Sequence, residues 1–315
     1  MRRRGRSAAV GWLAGAALGV ALLASGCATS FAFGSSDPSS GAVVAVGAEN
    51  EYADVIQQIG GKYVQVNAVL SNPNTDPHTF EASASLARLL NSAQLVVQNG
   101  AGYDTFMNTI ESAVPSSSRK IVVVQKLLGL PDTTPNPHLW YKPGTMAAVA
   151  NAVAADLGAL RPAHAAFFKA NAAAFIRSLG AWTNAIAAFK AQYPGTPVAT
   201  TEPVADYLLQ AVGADNLTPW ALQADIMNGT DPSAQDVAVQ RSLFTQHKVK
   251  VFLYNQQVTD SLTESFISLA RANGIPVVGV YETMPEPGYH YQSWMLAEVQ
   301  DLRRAVASKI SSEHL

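Results

Sequence analysis

Two histidines of this chain share a context. Asp76-Pro77-His78-Thr79-Phe80 and Asn136-Pro137-His138-Leu139-Trp140 both read Asx-Pro-His-x-aromatic. Proline fixes the backbone just ahead of the imidazole, and an aromatic ring two residues on can wall one side of it. Such rigidity suits a side chain that must point in one direction, as a metal ligand does. A single Pro-His in a loop reads equally well as a solvated histidine. Two in matching contexts favour a shared task, and both a dinuclear hydrolase and a mononuclear metal receptor use paired imidazoles.

Two acids extend the set. Glu202, in Thr200-Thr201-Glu202-Pro203, follows one expected strand, and Glu282, in Tyr281-Glu282-Thr283-Met284-Pro285, follows another. Taken singly, Glu202 also fits a helix-start carboxylate favoured by the macrodipole, and Glu282 a solvated loop residue. Taken together, two imidazoles and two carboxylates make a four-residue cage for a divalent metal ion. An enzyme reading finds little support. The chain has no H-E-x-x-H, no G-x-S-x-G and no surplus carboxylate cluster, so a secreted metallohydrolase is the weaker alternative and the expectation is no enzyme. His164 reads as surface or packing, His247 as solvated and His314 as tail. Trp140, Phe80 and Trp294 read as wall or core. Asn50 and Asn255 read either as hydrogen-bond partners behind the ligands or as turn residues.

These side chains need elements to carry them. Residues 42–46, 63–70, 94–98 and 121–124 read as strands, with helices at 52–59, 84–90 and 103–110 and Pro/Asn loops at 71–79 and 131–143. Each Pro-His is therefore expected a short loop beyond a strand, at the carboxyl edge where open α/β sheets bind ligands. From 145 to 192 no strand signal remains. Pro162 can open a helix running to about Tyr193, roughly 45 Å at 1.5 Å per residue. The strand–helix rhythm then returns with strands at 198–200, 249–254 and 276–280, and helices at 203–212, 233–246, 261–273 and from Tyr291. The fold class expected is α/β: two α/β lobes with mostly parallel sheets joined by one long rigid helix.

Composition bounds the rest. Of 315 residues only 14% are charged and the net charge is −2, so no basic field for nucleic acid exists. The single cysteine excludes an internal disulfide framework. Four arginines within the first six residues, an apolar run at 8–24 and small residues before Cys27 make up an export segment, and this part resembles a bacterial lipoprotein signal. The expected organisation is a signal peptide at 1–27 with Cys27 lipidated, and a flexible tether at 28–40. An N-terminal α/β lobe at 41–143, a helical region with the linking helix at 144–194 and a C-terminal α/β lobe at 195–315 complete it.

Over about residues 43–307 the sequence resembles the zinc/manganese-binding lipoproteins that serve bacterial metal ABC importers. The motifs that carry the likeness are Asp76-Pro77-His78-Thr79-Phe80-Glu81, Ala93-Gln94-Leu95-Val96-Val97-Gln98-Asn99-Gly100, Asn136-Pro137-His138-Leu139-Trp140, Asn255-Gln256-Gln257 and Ile275-Pro276-Val277-Val278-Gly279-Val280. The resemblance implies His78 and His138 as the first two metal ligands and Glu202 as the third, where that family has His or Glu. It implies Glu282 as the fourth, with His290 as the alternative. It also implies a lipid-anchored, monomeric receptor on the outer face of the cytoplasmic membrane. Such a receptor delivers Mn²⁺ or Zn²⁺, with iron open, to an ABC permease. Two carboxylates beside two histidines make a harder set than three histidines, which tilts the expectation toward Mn²⁺. A siderophore or corrinoid receptor shares the helix-linked architecture, but calls for a broad aromatic or basic cleft.

Overall fold

Strands and helices alternate along the chain to form two separate four-stranded sheets. The computed structural model describes residues 41–72, 80, 83–285 and 287–315. The first sheet contains β1 (Val43–Glu49), β2 (Val64–Leu70), β3 (Leu95–Gln98) and β4 (Lys120–Val123) in the order β2-β1-β3-β4, every pair parallel. Apolar runs such as Leu95-Val96-Val97 are buried because helices cover both faces. Val43 and Ala45 face the main core, whereas Val46 and Ala48 face a smaller one under α2 (Ala84–Ser92) and α3 (Thr105–Ala113). At Gly47 a Cβ would stand 2.5 Å from the Ala53 amide nitrogen, so only glycine lets α1 (Asn50–Gly60) fold back this closely on its own strand.

Beyond β4 the chain makes the single turn α4 (Val124–Leu127) and a loop, then α5 (Thr145–Leu160). The sequence reading expects one helix from Pro162 to Tyr193. The structure instead has a 3₁₀ turn at Pro162–His164, then α6 (Ala165–Ser178) and α7 (Gly180–Gln192), separated only by Leu179. Leu179 keeps near-helical angles, φ −66° and ψ −12°, so the run is nicked rather than broken.

The second sheet contains β5 (Pro197–Thr200), β6 (Asp215–Asn216), β7 (Val251–Asn255) and β8 (Val277–Val280) in the order β6-β5-β7-β8, again all parallel. Around it lie α8 (Asp206–Val212), α9 (Trp220–Met227), α10 (Ala234–Thr245), α11 (Ser261–Ala272) and α12 (Tyr291–Ser308). Sequence reading missed β6 and α9, because Asn216-Leu217-Thr218-Pro219 has turn chemistry and β6 is only two residues long.

The rod α6–α7 serves both lobes. Its first half packs on α1 and α5, its second half on α8 and α12. One continuous core therefore runs from Val55 and Val149 through Phe168 and Phe189 to Val204, Trp294 and Leu302. Among the described residues no helix is long and apolar enough to cross a membrane. The expected signal peptide, Cys27 and the tether at 28–40 lie outside the described residues, as does His78.

Candidate metal centre

Strand register puts three polar residues in a row on the second lobe. Thr200 pairs with Leu253, so Glu202 comes level with Asn255. Asn255 pairs with Val280, and Glu282 follows two residues later. Asn255 thus stands between two acids, and its Nδ2 donates to Glu202 Oε2 at 2.9 Å and to Glu282 Oε1 at 2.5 Å. The amide is fixed from behind: its Oδ1 accepts from the Gln257 amide, and its backbone N–H donates to Thr201 Oγ1. Gln257 Oε1 accepts from the backbone N–H groups of Glu282 and Thr283 at 2.7 and 2.8 Å, which fixes the loop that carries the second acid.

The first lobe brings His138 to the same place. It does not follow its strand by a short loop as expected, since α4 and the segment to Pro137 intervene after β4. Asn99, just past β3, holds that segment by donating from Nδ2 to the Pro137 carbonyl at 2.8 Å. Asn136 then sets the imidazole. Its Nδ2 donates to the Pro203 carbonyl at 2.7 Å, so its Oδ1 faces His138 and accepts from the backbone N–H at 3.0 Å. The same oxygen lies 2.8 Å from His138 Nδ1. An amide oxygen only accepts, so Nδ1 carries the proton and Nε2 keeps its lone pair. Nε2 lies 3.6 Å from Glu282 Oε2. This is the arrangement of a histidine ready to ligate through Nε2.

The expected aromatic wall is present. Trp140 meets the His138 ring edge to face, with centroids 5.4 Å apart, and Tyr103 meets it at 5.9 Å. Tyr103 donates its hydroxyl to Glu282 Oε2 at 2.8 Å. Burial first, and the Glu282 carboxylate second, push the Tyr103 pKa well above the usual phenol value, so it remains a donor. His138 and Glu282 are fully buried and Glu202 nearly so.

His138, Glu202 and Glu282 therefore come together, while His78 falls in the undescribed segment 73–79. His290 is elsewhere: its side chain is 68% exposed and pairs with Asp54 at 2.7 Å. His164 stacks on Tyr63, in keeping with a packing role. Tyr103 was missed by sequence reading, which gives no sign that a tyrosine at the start of α3 reaches across to β8. Asn136 was legible in principle, since an Asx residue two before an amide makes a turn of this kind. Among the described residues no three His, Cys, Asp or Glu side chains form a metal-holding group. The Asn255 amide lies between the two acids and is bonded to both. One imidazole of set tautomer and two buried carboxylates nonetheless fit a divalent transition ion by their donor chemistry.

Known proteins resemble this chain in sequence and in fold. A manganese-binding lipoprotein, MntA of Bacillus subtilis, is 22% identical over 238 residues, covering 71% of this chain and 74% of that protein. The zinc-binding protein TroA of Treponema pallidum is 30% identical over 128 residues, 38% of this chain and 41% of that one. The TroA structure superposes with a TM-score of 0.72 at 19% identity, covering 86% of this chain and 100% of TroA. The Mn²⁺ complex of FpvC from Pseudomonas aeruginosa gives 0.69 at 20% identity, covering 85% of this chain and 99% of FpvC. The family profile described as zinc-uptake complex component A, periplasmic, matches residues 46–305, and the chain belongs to that family.

Proposed function

We propose that the protein is an extracytoplasmic receptor that captures a divalent transition-metal ion between its lobes and delivers it to an ABC-type permease. The ligands are His78, His138, Glu202 and Glu282, and Cys27 carries the lipid that holds the protein at the outer face of the cytoplasmic membrane. The ion is cargo, either Mn²⁺ or Zn²⁺, and no chemistry on a substrate is required. The observation that carries this reading is the meeting of His138 from one lobe with Glu282 and Glu202 from the other. All three are buried, and the His138 lone pair is turned toward a carboxylate. MntA and TroA, described as manganese- and zinc-binding, support the choice of ions.

The test is calorimetric titration of the metal-stripped protein with Mn²⁺ and Zn²⁺, alongside His78→Ala and Glu202→Gln. One-to-one binding, lost in both variants, is expected. Tight binding that survives both changes moves the site elsewhere.

A further inference from the structure

The place between Glu202 and Glu282 is taken by a neutral side chain. A primary amide nitrogen carries two hydrogens, enough for one to each acid. Asn255 Nδ2 uses them in that way, reaching Glu202 Oε2 at 2.9 Å and Glu282 Oε1 at 2.5 Å. The amide cannot be turned end for end. Its Oδ1 would then face two carboxylates and would lose the Gln257 backbone N–H that it accepts from at 3.0 Å. All three side chains are buried, so these bonds are made away from water, where a bond to a carboxylate is strong.

Neither acid depends on that amide for its position. Glu282 accepts from the Tyr103 hydroxyl at 2.8 Å, and its backbone N–H donates to Gln257 Oε1 at 2.7 Å. Glu202 stands two residues past β5, and the carbonyl of the next residue, Pro203, is fastened to Asn136 Nδ2 at 2.7 Å. Asn255 is the last residue of β7, and its backbone is held by pairing with Val280 and by the bond to Thr201 Oγ1. Its side chain can therefore turn while the strand stays in place. An ion drawn to both carboxylates competes for the same space and the same oxygens, so amide and ion exclude each other.

We propose that Asn255 is a built-in competitor of the cargo ion: its amide holds the two acids until an ion displaces it, and so keeps affinity below what the donor set alone would give. The inference rests on the receptor reading above, with Glu202 and Glu282 as ligands. The bonds to be broken belong to the protein before the ion arrives, so their cost does not depend on which ion arrives. Asn255 therefore lowers the affinity for Mn²⁺ and for Zn²⁺ by one common factor. It sets how tightly the receptor holds what it must later give up, and takes no part in choosing between ions.

The experiment titrates the metal-stripped protein and its Asn255→Ala variant with Mn²⁺ and with Zn²⁺ by calorimetry, and records thermal unfolding without metal. Asn255→Ser is run in parallel in case the alanine variant folds poorly, since serine keeps an acceptor for the Gln257 amide but cannot span two acids. The expected result is binding about tenfold tighter than in the parent, the size of one hydrogen bond to a charged group, with the same factor for both ions. The metal-free melting temperature should fall at the same time. A residue that served only the fold would lower the melting temperature with no gain in affinity. Affinity within about threefold of the parent, or weaker, in a folded variant overturns the proposal, as does a gain confined to one ion. If the parent protein binds neither ion, the receptor reading itself fails and this inference falls with it.

Discussion

Replacing Asn136 with leucine removes the group that orients His138 while keeping the branched shape and the number of side-chain heavy atoms. Three hydrogen bonds disappear: from the His138 amide at 3.0 Å, with His138 Nδ1 at 2.8 Å, and to the Pro203 carbonyl at 2.7 Å. Each leaves a buried group without its partner, at about 1–3 kcal/mol apiece. With partial relaxation the expected stability loss is about 3 kcal/mol, which corresponds to roughly 6–12 °C in melting temperature for a chain of this size. The effect on metal binding is separate. Without an acceptor at Nδ1 the imidazole is free to change tautomer and rotate, and such losses weaken metal affinity by about 10–100-fold. Asn136→Asp distinguishes orientation from general damage. It keeps an acceptor at His138 Nδ1 and the backbone amide but cannot donate to Pro203. Calorimetry and thermal melts on all three proteins should show the leucine variant weak in both respects, and the aspartate variant less stable yet close to the parent in affinity. An aspartate variant that is folded but binds as weakly as the leucine variant would refute the orientation argument.

Two further outcomes follow from titratable groups. Ligation needs neutral imidazole and ionised carboxylate, so metal affinity should fall as pH drops through the histidine range; equal affinity at about pH 7.5 and about pH 5 counts against His78 and His138 as ligands. Burial pushes Glu298 from 4.5 to about 8, although Trp294 Nε1 and the Tyr141 hydroxyl both donate to its Oε1. A carboxyl raised on folding takes up a proton between those two values, so its contribution to stability is lost as pH rises from about 4.5 to about 8 and levels off above. The melting-temperature advantage of Glu298→Gln over the parent should therefore widen across that window; a constant difference would mean that the group does not titrate there.

The fold was readable because its signals are local. Apolar runs of strand length alternate with amphipathic helices, and Pro162 and Pro194-Gly195 bound the helical rod. The nick at Leu179 was not readable, since neither Leu179 nor Gly180 is a strong enough breaker to forecast it. At the site, Glu202 and Glu282 sit two residues past apolar strands as the sequence suggests, whereas His138 is separated from β4 by α4 and a further loop. What escaped was everything set by register between strands. That Asn255 lies between two acids follows from the β5-β7-β8 pairing, which no single stretch of sequence encodes.

The ties between the lobes bear on how such a receptor would take up an ion. By chain order Glu282 belongs to the second lobe, yet its loop is fastened to the first. Asn50 grips Met284, the Tyr141 hydroxyl accepts from the Tyr281 amide, Tyr103 holds the Glu282 carboxylate, and Asp54 accepts from the Tyr291 amide. The Glu202 side is fastened too, through Asn136 to Pro203 and the Tyr207 hydroxyl to the Asn136 carbonyl. A wide hinge would have to break most of these together and also split the core that runs through α6 and α7. Rearrangement of the polar groups around Asn255 asks for far less. If the two glutamates are the proposed ligands, the amide that now bridges them would have to give up its place between them, while the Asn255 backbone stays paired on β7. For the proposed receptor, exchange at one amide on a frame that stays shut would break fewer of these hydrogen bonds than a wide hinge.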